Sequence, residues 1–303
     1  MESKLFAFKF NKDVTQKDKD NQNNDKFAMS NADFIELRKI VYDFSGIYLP
    51  EIGKKALEDM IEKKIKTKNL KTFPEYIDVF KSPSYRDELI DILDVILADQ
   101  NRFFRDEDQL IAFEKIIVPE IVERKAEEAN QYFRIWSAAA ATGEEAYSIA
   151  ITINEKFSNE YPSIKFQILA SDKNEKSLSS ARKGIYNESS VVNLPTELLV
   201  KYFERKDDYF VLKDEIKKLV KFTSIDLLNS DVMKSLKTCD IVFCSNVLTY
   251  FDNISRQKVV SYLYDVLNKG GYMFLGTYES LHGISKSFKL VHLPKTIAYM
   301  KEK

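Results

Sequence analysis

Cysteine is nearly absent from this chain. Cys239 and Cys244 are the only two in 303 residues, and both lie in one apolar stretch. Their spacing fits no common zinc pattern, and the two histidines, His282 and His292, do not complete one. No metal site is therefore expected, and the thiols read as buried and reduced in an intracellular protein. Long hydrophobic runs are missing too. No apolar stretch reaches membrane-spanning length and the N-terminus lacks a signal-peptide core, so no membrane insertion and a cytoplasmic location are expected. Nor does one sign of charge dominate. Lys+Arg 46 against Asp+Glu 47 gives a formal charge of −1, which provides no reason to expect nucleic acid as a partner.

Composition then changes along the chain. Residues 11–25 are Asn, Gln, Lys and Asp with almost nothing apolar. Such a segment cannot offset its ordering entropy, so residues 1–28 read as a disordered tail. From Ser30 the pattern turns helical, with Phe34, Leu37, Ile40, Val41 and Phe44 at three- and four-residue spacing and Ser30 or Asn31 as N-cap. Further helices are expected over 54–68, 73–80 and 85–98, which makes residues 29–98 a small helical domain. Residues 99–107 form a linker. From 108 to 303, a helix over 107–125 leads into strands and helices in alternation. Strands are expected at 132–137, 165–171, 240–245 and 272–277, with helices at 144–157, 175–185 and 255–267. Alternation implies a mostly parallel α/β sheet covered on both faces, a Rossmann-like domain. Residues 288–292 and 296–300 read as a terminal antiparallel hairpin, and about 207–222 as a small β insertion.

The richest segment is Arg134-Ile-Trp-Ser-Ala-Ala-Ala-Ala-Thr-Gly-Glu-Glu-Ala-Tyr-Ser148. A strand enters a turn of small residues, and a helix then opens with two acids. Such turns let a ligand approach the backbone, and the helix start usually receives phosphate. Glu144 and Glu145 would repel one. The ligand expected here is neutral or cationic, which points to the sulfonium nucleoside S-adenosylmethionine.

In open α/β sheets the ligand lies beyond the carboxyl ends of the strands. Ala138 and Glu144 follow the first strand, Asp172 the second, Asp226 and Leu227 a third, and Ser245 and Asn246 the fourth. Asp172 suits the ribose hydroxyls, Asp226 an adenine amino group and Leu227 a base face. Asp and Asn are also ordinary turn-formers and caps, so it is the set that carries the reading.

Six segments occur in order: Phe103-Phe-Arg105, Trp136-Ser-Ala-Ala-Ala-Ala-Thr-Gly-Glu-Glu145, Ala170-Ser-Asp172, Ala181-Arg-Lys-Gly-Ile-Tyr186, Asn246-Val-Leu-Thr-Tyr-Phe-Asp252 and Gly270-Gly-Tyr-Met-Phe-Leu-Gly276. Together they resemble the CheR-type chemotaxis receptor methyltransferases, over roughly Asp33 to Met300. The resemblance implies a class I methyltransferase domain behind a helical domain. It implies an S-adenosylmethionine-dependent protein-glutamate O-methyltransferase that acts on the cytoplasmic methylation helices of chemoreceptors. It places Arg105 and Tyr250 beside the transferred methyl as catalytic residues. It assigns Asp99, Asn101, Arg105, Ala138, Glu144, Asp172, Asp226, Leu227, Ser245 and Asn246 to the cofactor, with Glu145 left to favour the helix start.

This chain departs from the family at several of these positions. Relatives usually carry Asn and Thr at 99 and 101, Asn at 226, Arg at 245 and a His-Ser pair at Thr277-Tyr278. A catalytically weakened receptor- or cofactor-binding relative is the alternative these departures raise. A methyltransferase of RNA or small molecules is disfavoured by the balanced charge and by the lack of an Asn-Pro-Pro-Tyr-type loop. Lysines 54, 55, 63, 64, 66, 68 and 71 read either as a solvated face or as attraction for an acidic receptor helix. No glycine lies between Asn187 and Gly270, which speaks against a β insertion shaped to bind a receptor tether. A monomer is expected.

Overall fold

The computed structural model describes residues 29–302, apart from 46–48, 50–53, 82–84, 86–87, 90–91, 93–100 and 128–130. The expected tail, and most of the helix expected over 85–98, lie outside the described residues. The three- and four-residue periodicity forms the helix Asn31–Ser45, which buries Phe34, Leu37 and Val41. Ser30 starts it with a reciprocal cap: the Asp33 N–H donates to Ser30 Oγ at 3.1 Å and the Ser30 N–H to Asp33 Oδ2 at 3.1 Å. The helices Lys54–Thr67 and Phe73–Ile77 add Ile61, Ile65 and Tyr76 to the same core. Buried Glu88 accepts from Tyr76 Oη at 2.8 Å and from Lys64 Nζ at 3.0 Å, and pairs with Lys68 at 2.5 Å. Its carboxyl is held low by these partners against the opposing effect of burial. Lys64 of the basic helix and Lys68 just beyond it are therefore committed to a buried acid of the helical domain itself.

Two sheets follow. The larger has seven strands: β1 (Tyr132–Ala138), β2 (Lys165–Asp172), β6 (Val220–Ser224), β7 (Cys239–Cys244), β8 (Leu267–Leu275), β9 (Lys289–Leu293) and β10 (Thr296–Met300). Their order is β6-β2-β1-β7-β8-β10-β9, parallel from β6 to β8 and antiparallel through the terminal hairpin. β7 is buried along its length because both faces are covered. Ile241 and Phe243 enter one core with Phe133 and Phe274, while Val242 and Cys244 enter the other with Trp136 and Met273. Among the described residues no helix is long and apolar enough to cross a membrane.

The small antiparallel sheet has the order β3-β5-β4, from β3 (Ile185–Tyr186), β4 (Phe203–Lys206) and β5 (Tyr209–Leu212). It begins earlier than the expected insertion and ends earlier. The apolar run after Leu219 instead becomes β6, pairing Val220 with Ile168 through to Ser224 with Asp172. A short run that pairs in either sheet looks the same in sequence. Asp207, at φ 53, makes the β4–β5 turn without glycine, since a short polar side chain tolerates the left-handed region.

The helix expected over 107–125 is continuous but not uniform. Glu107–Ala112 and Val118–Glu127 are α-helical, and Phe113–Ile117 between them are wound as π-helix. At the amino end of β7, buried Asp240 accepts from Lys125 Nζ at 2.8 Å, from the Arg134 N–H at 2.8 Å and from Asn268 Nδ2 at 2.8 Å.

Candidate active site

β1 and β2 end side by side, with Ala138 opposite Ser171. The chain then turns through Ala139 at φ 59, Ala141 at φ 45 and Gly143 at φ 94 before the helix Glu144–Lys156. Two non-glycine residues in the left-handed region cost about 1–3 kcal/mol each. The turn is held by its neighbours. The Ala140 N–H donates to Ser171 O at 2.8 Å, and the Ala141 N–H to Asp172 Oδ2 at 3.0 Å. Asp172 Oδ1 also accepts from the Asn174 N–H at 2.8 Å. At Gly143 a Cβ would crowd Ala181 Cβ at 3.0 Å and Phe222 Cζ at 3.2 Å, and its φ of 94 disfavours any side chain.

A cleft opens over this turn, bordered by Asn101, Arg105, Glu144, Glu145, Ser245 and Asn246. Five of these are among the expected residues; Glu145 is the addition. Its Oε1 accepts from Ser137 Oγ at 2.6 Å and its Oε2 from Ser245 Oγ at 2.7 Å, so it ties the ends of β1 and β7 together. Burial raises its carboxyl, and the two serines and the Arg105 charge temper the rise. Glu144 is 5% exposed and its Oε2 accepts from Thr142 Oγ1 at 2.7 Å. Burial pushes it up to about 7.

Arg105 is presented by an anchored approach. The Phe103 N–H donates to Ser190 O at 2.8 Å and the Phe104 N–H to Ser148 Oγ at 2.9 Å. The buried Phe103 ring stands edge-on to Tyr186 and Phe203, with centroids 4.8 and 5.1 Å away. Beyond Arg105, Asp106 Oδ1 accepts from Thr277 Oγ1 at 2.8 Å and Gln109 Nε2 donates to Leu275 O at 2.7 Å. Arg105, Asp106 and Gln109 also border a second groove, shared with Thr277, Leu293 and Ile297. Arg105 therefore stands on the wall between two depressions.

The remaining expected residues lie elsewhere. Ala138 and Leu227 are buried in the sheet core. Asp226 is exposed, and its Oδ1 accepts from the Leu228 N–H at 2.9 Å in a self-capped turn. Tyr250 ends the 3-10 turn Leu248–Tyr250 and packs against the core of the helical domain. Ala138, Asp172, Asp226, Leu227 and Tyr250 do not border the cleft, and Asp99 lies outside the described residues. Sequence reasoning gave Glu145 as an acid that repels phosphate and favours the helix start, but its tie between β1 and β7 left no signal. Glu279 was not singled out at all; it is buried and accepts from main-chain amides at Asn246, Leu248, Thr249 and Gly276.

The donor set suits S-adenosylmethionine. Carboxylates of Glu144, Glu145 and Asp172 surround a strained, small-residue turn at the carboxyl end of the sheet, an arrangement that favours cationic and hydroxyl groups over phosphate. The fold and this site define an S-adenosylmethionine-dependent methyltransferase. The CheR methyltransferase, SAM binding domain family matches residues 99–297, so the chain belongs to the CheR methyltransferase family. It is 33% identical over 268 residues to a chemotaxis protein methyltransferase of Borreliella burgdorferi, covering 87% of this chain and 94% of that protein. It is 31% identical over 277 residues to chemotaxis protein methyltransferase 2 of Vibrio cholerae, covering 91% and 95%. The chemotaxis protein methyltransferase of Escherichia coli is 26% identical over 273 residues, covering 89% and 91%.

Proposed function

We propose that this protein is a cytoplasmic enzyme that methylates glutamate side chains on the methylation helices of chemoreceptors. The observation that carries the reading is the position of Arg105 between the acid-lined cleft and the second groove. The cleft would hold the cofactor and the groove would admit the acceptor. Bound S-adenosylmethionine supplies a methyl group on a cationic sulfur that departs as a neutral thioether.

The acceptor glutamate is already ionised at neutral pH, so no residue of the chain is required as a general base. What the chain must provide is orientation and exclusion of water. Arg105 can grip a carboxylate with two donors, and the bonds at Phe103 and Phe104 fix where it stands. Ser245 serves Glu145 rather than extending outward, so the acid stays fixed on the cofactor side. Glu144 and Asn101 complete that wall, and the Asn246 amide borders it from β7.

The acceptor's attraction to the helical domain would be modest. Lys64 and Lys68 are engaged by Glu88, Lys66 by Glu62 and Lys55 by Asp59. Calorimetry with S-adenosylmethionine, followed by methyl transfer to chemoreceptor cytoplasmic fragments, tests the proposal. Base-labile methyl esters on glutamate are the expected product. Cofactor binding without any ester would end the reading of the substrate.

A further inference from the structure

We infer that Glu279 is a positioning residue for methyl transfer, one that holds the Asn246–Tyr250 loop in register with Arg105. The inference rests on the proposed methyltransferase reading of the same site. Glu279 is 8% exposed, and among the described residues it pairs with no cation: its carboxylate accepts hydrogen bonds from main-chain amides. Oε2 accepts from the Asn246 N–H at 2.7 Å and the Gly276 N–H at 3.0 Å. Oε1 accepts from the Leu248 N–H at 2.8 Å and the Thr249 N–H at 3.4 Å. One side chain thereby satisfies three amides of the loop that follows β7 and one of the turn that follows β8.

The loop cannot hold this shape by itself. Asn246 sits at φ 57, and a Cβ on Gly276 would lie 2.4 Å from Asn246 Oδ1. The two loops are therefore in contact, with the carboxylate as the link between them. The turn after β8 is bonded in addition to the Arg105 segment, through Thr277 to Asp106 and Gln109 to Leu275. Glu279 is thus the node through which Asn246 on the cofactor side and Tyr250 take their positions relative to Arg105. An in-line transfer tolerates little error, and a displacement of about 1 Å costs on the order of 100-fold in rate.

The chemistry of the node makes the idea testable. Each carboxylate oxygen receives two N–H donors. Glutamine offers one acceptor oxygen and turns an NH2 group towards the other pair of donors, so Glu279→Gln is not conservative here. Glu279→Asp keeps both acceptors at shorter reach. Asn268→Ala serves as the control, because it strips one hydrogen bond from buried Asp240 at the opposite end of the sheet. Affinity for S-adenosylhomocysteine by calorimetry and the single-turnover rate at saturating cofactor and receptor fragment would be measured for all three, well below each melting temperature.

For Glu279→Gln the expected results are about tenfold weaker cofactor analogue binding and about 100-fold slower transfer. Glu279→Asp should recover about tenfold of that rate and stay about tenfold below wild type, while Asn268→Ala keeps both values. Wild-type affinity and rate in Glu279→Gln would overturn the inference, as would losses no greater than those of Asn268→Ala. If Glu279→Gln does not fold, Glu279→Asp decides the question: an unchanged rate would refute the role and a lowered one support it. Absence of transfer by the wild-type protein would refute the substrate reading alone, since the affinity measurement still reports on Glu279.

Discussion

The two ends of the parallel sheet treat buried carboxylates in opposite ways. At the amino end, Asp240 has a cation within reach, Lys125 at 2.8 Å, together with two neutral donors. At the carboxyl end, Glu144 and Glu145 are bonded by hydroxyls and Glu279 by main-chain amides, and burial raises all three carboxyls. A charge neutralised inside the protein is closed to ligands. A charge held only by dipoles keeps its field, and a cationic ligand gains from it. The amino end reads as scaffold and the carboxyl end as site, a division expected of open α/β sheets.

The largest effect is expected at the amino end. Lys125→Met leaves Asp240 buried without its cation and should cost about 3–5 kcal/mol, read from urea unfolding. Cofactor affinity of the folded protein should not change. The site end should respond the other way to Arg105→Ala. Methyl transfer should fall about 100- to 1,000-fold, with the melting temperature within a few degrees of wild type. Full activity in that variant would remove Arg105 from its assigned role.

Two finer tests concern Glu144 and Glu145. Burial raises Glu144 from 4.5 to about 7, so across that window the folded protein holds a proton that the unfolded chain has lost. The stability linked to this proton is complete below about pH 4.5 and is lost as pH rises towards 7. Glu144→Gln should therefore remove a decline of about 2–3 kcal/mol between pH 5 and pH 8, checked by urea titration at each pH. A cation bound beside Glu144 should also expel that proton, which calorimetry in buffers of different ionisation enthalpy would detect. Glu145→Gln keeps the volume and removes the charge. It should weaken S-adenosylmethionine about tenfold and S-adenosylhomocysteine, which lacks the sulfonium, by less.

Strand positions were legible because each apolar run is bounded by turn residues. β1, β2 and β7 begin and end within a residue or two of their expected limits. The small-residue turn was legible because a run of alanines leading to a glycine and a pair of acids stands out by residue type alone. Less was legible where a short run could serve two sheets, as with Val220–Ser224, or where the helical pattern continues through an altered winding, as at Phe113–Ile117. Strand-end acids had the same ambiguity. Asp226 matches a ligand contact in type and position, yet its carboxylate caps its own turn.

Residue order alone sets the alternation of elements, the small-residue turn with its two acids and the motifs of a methyltransferase family. Each of these is local, fixed by residue type and spacing within one element and the turn beside it. Tertiary structure alone decided how the acids are used. The Ser245–Glu145 bond spans 100 residues and the Asn246–Glu279 bond 33, and neither leaves a periodic trace. Whether a buried carboxylate meets a lysine, a serine or a row of main-chain amides depends on which loops the fold brings together. That choice separates scaffold from candidate site in this protein.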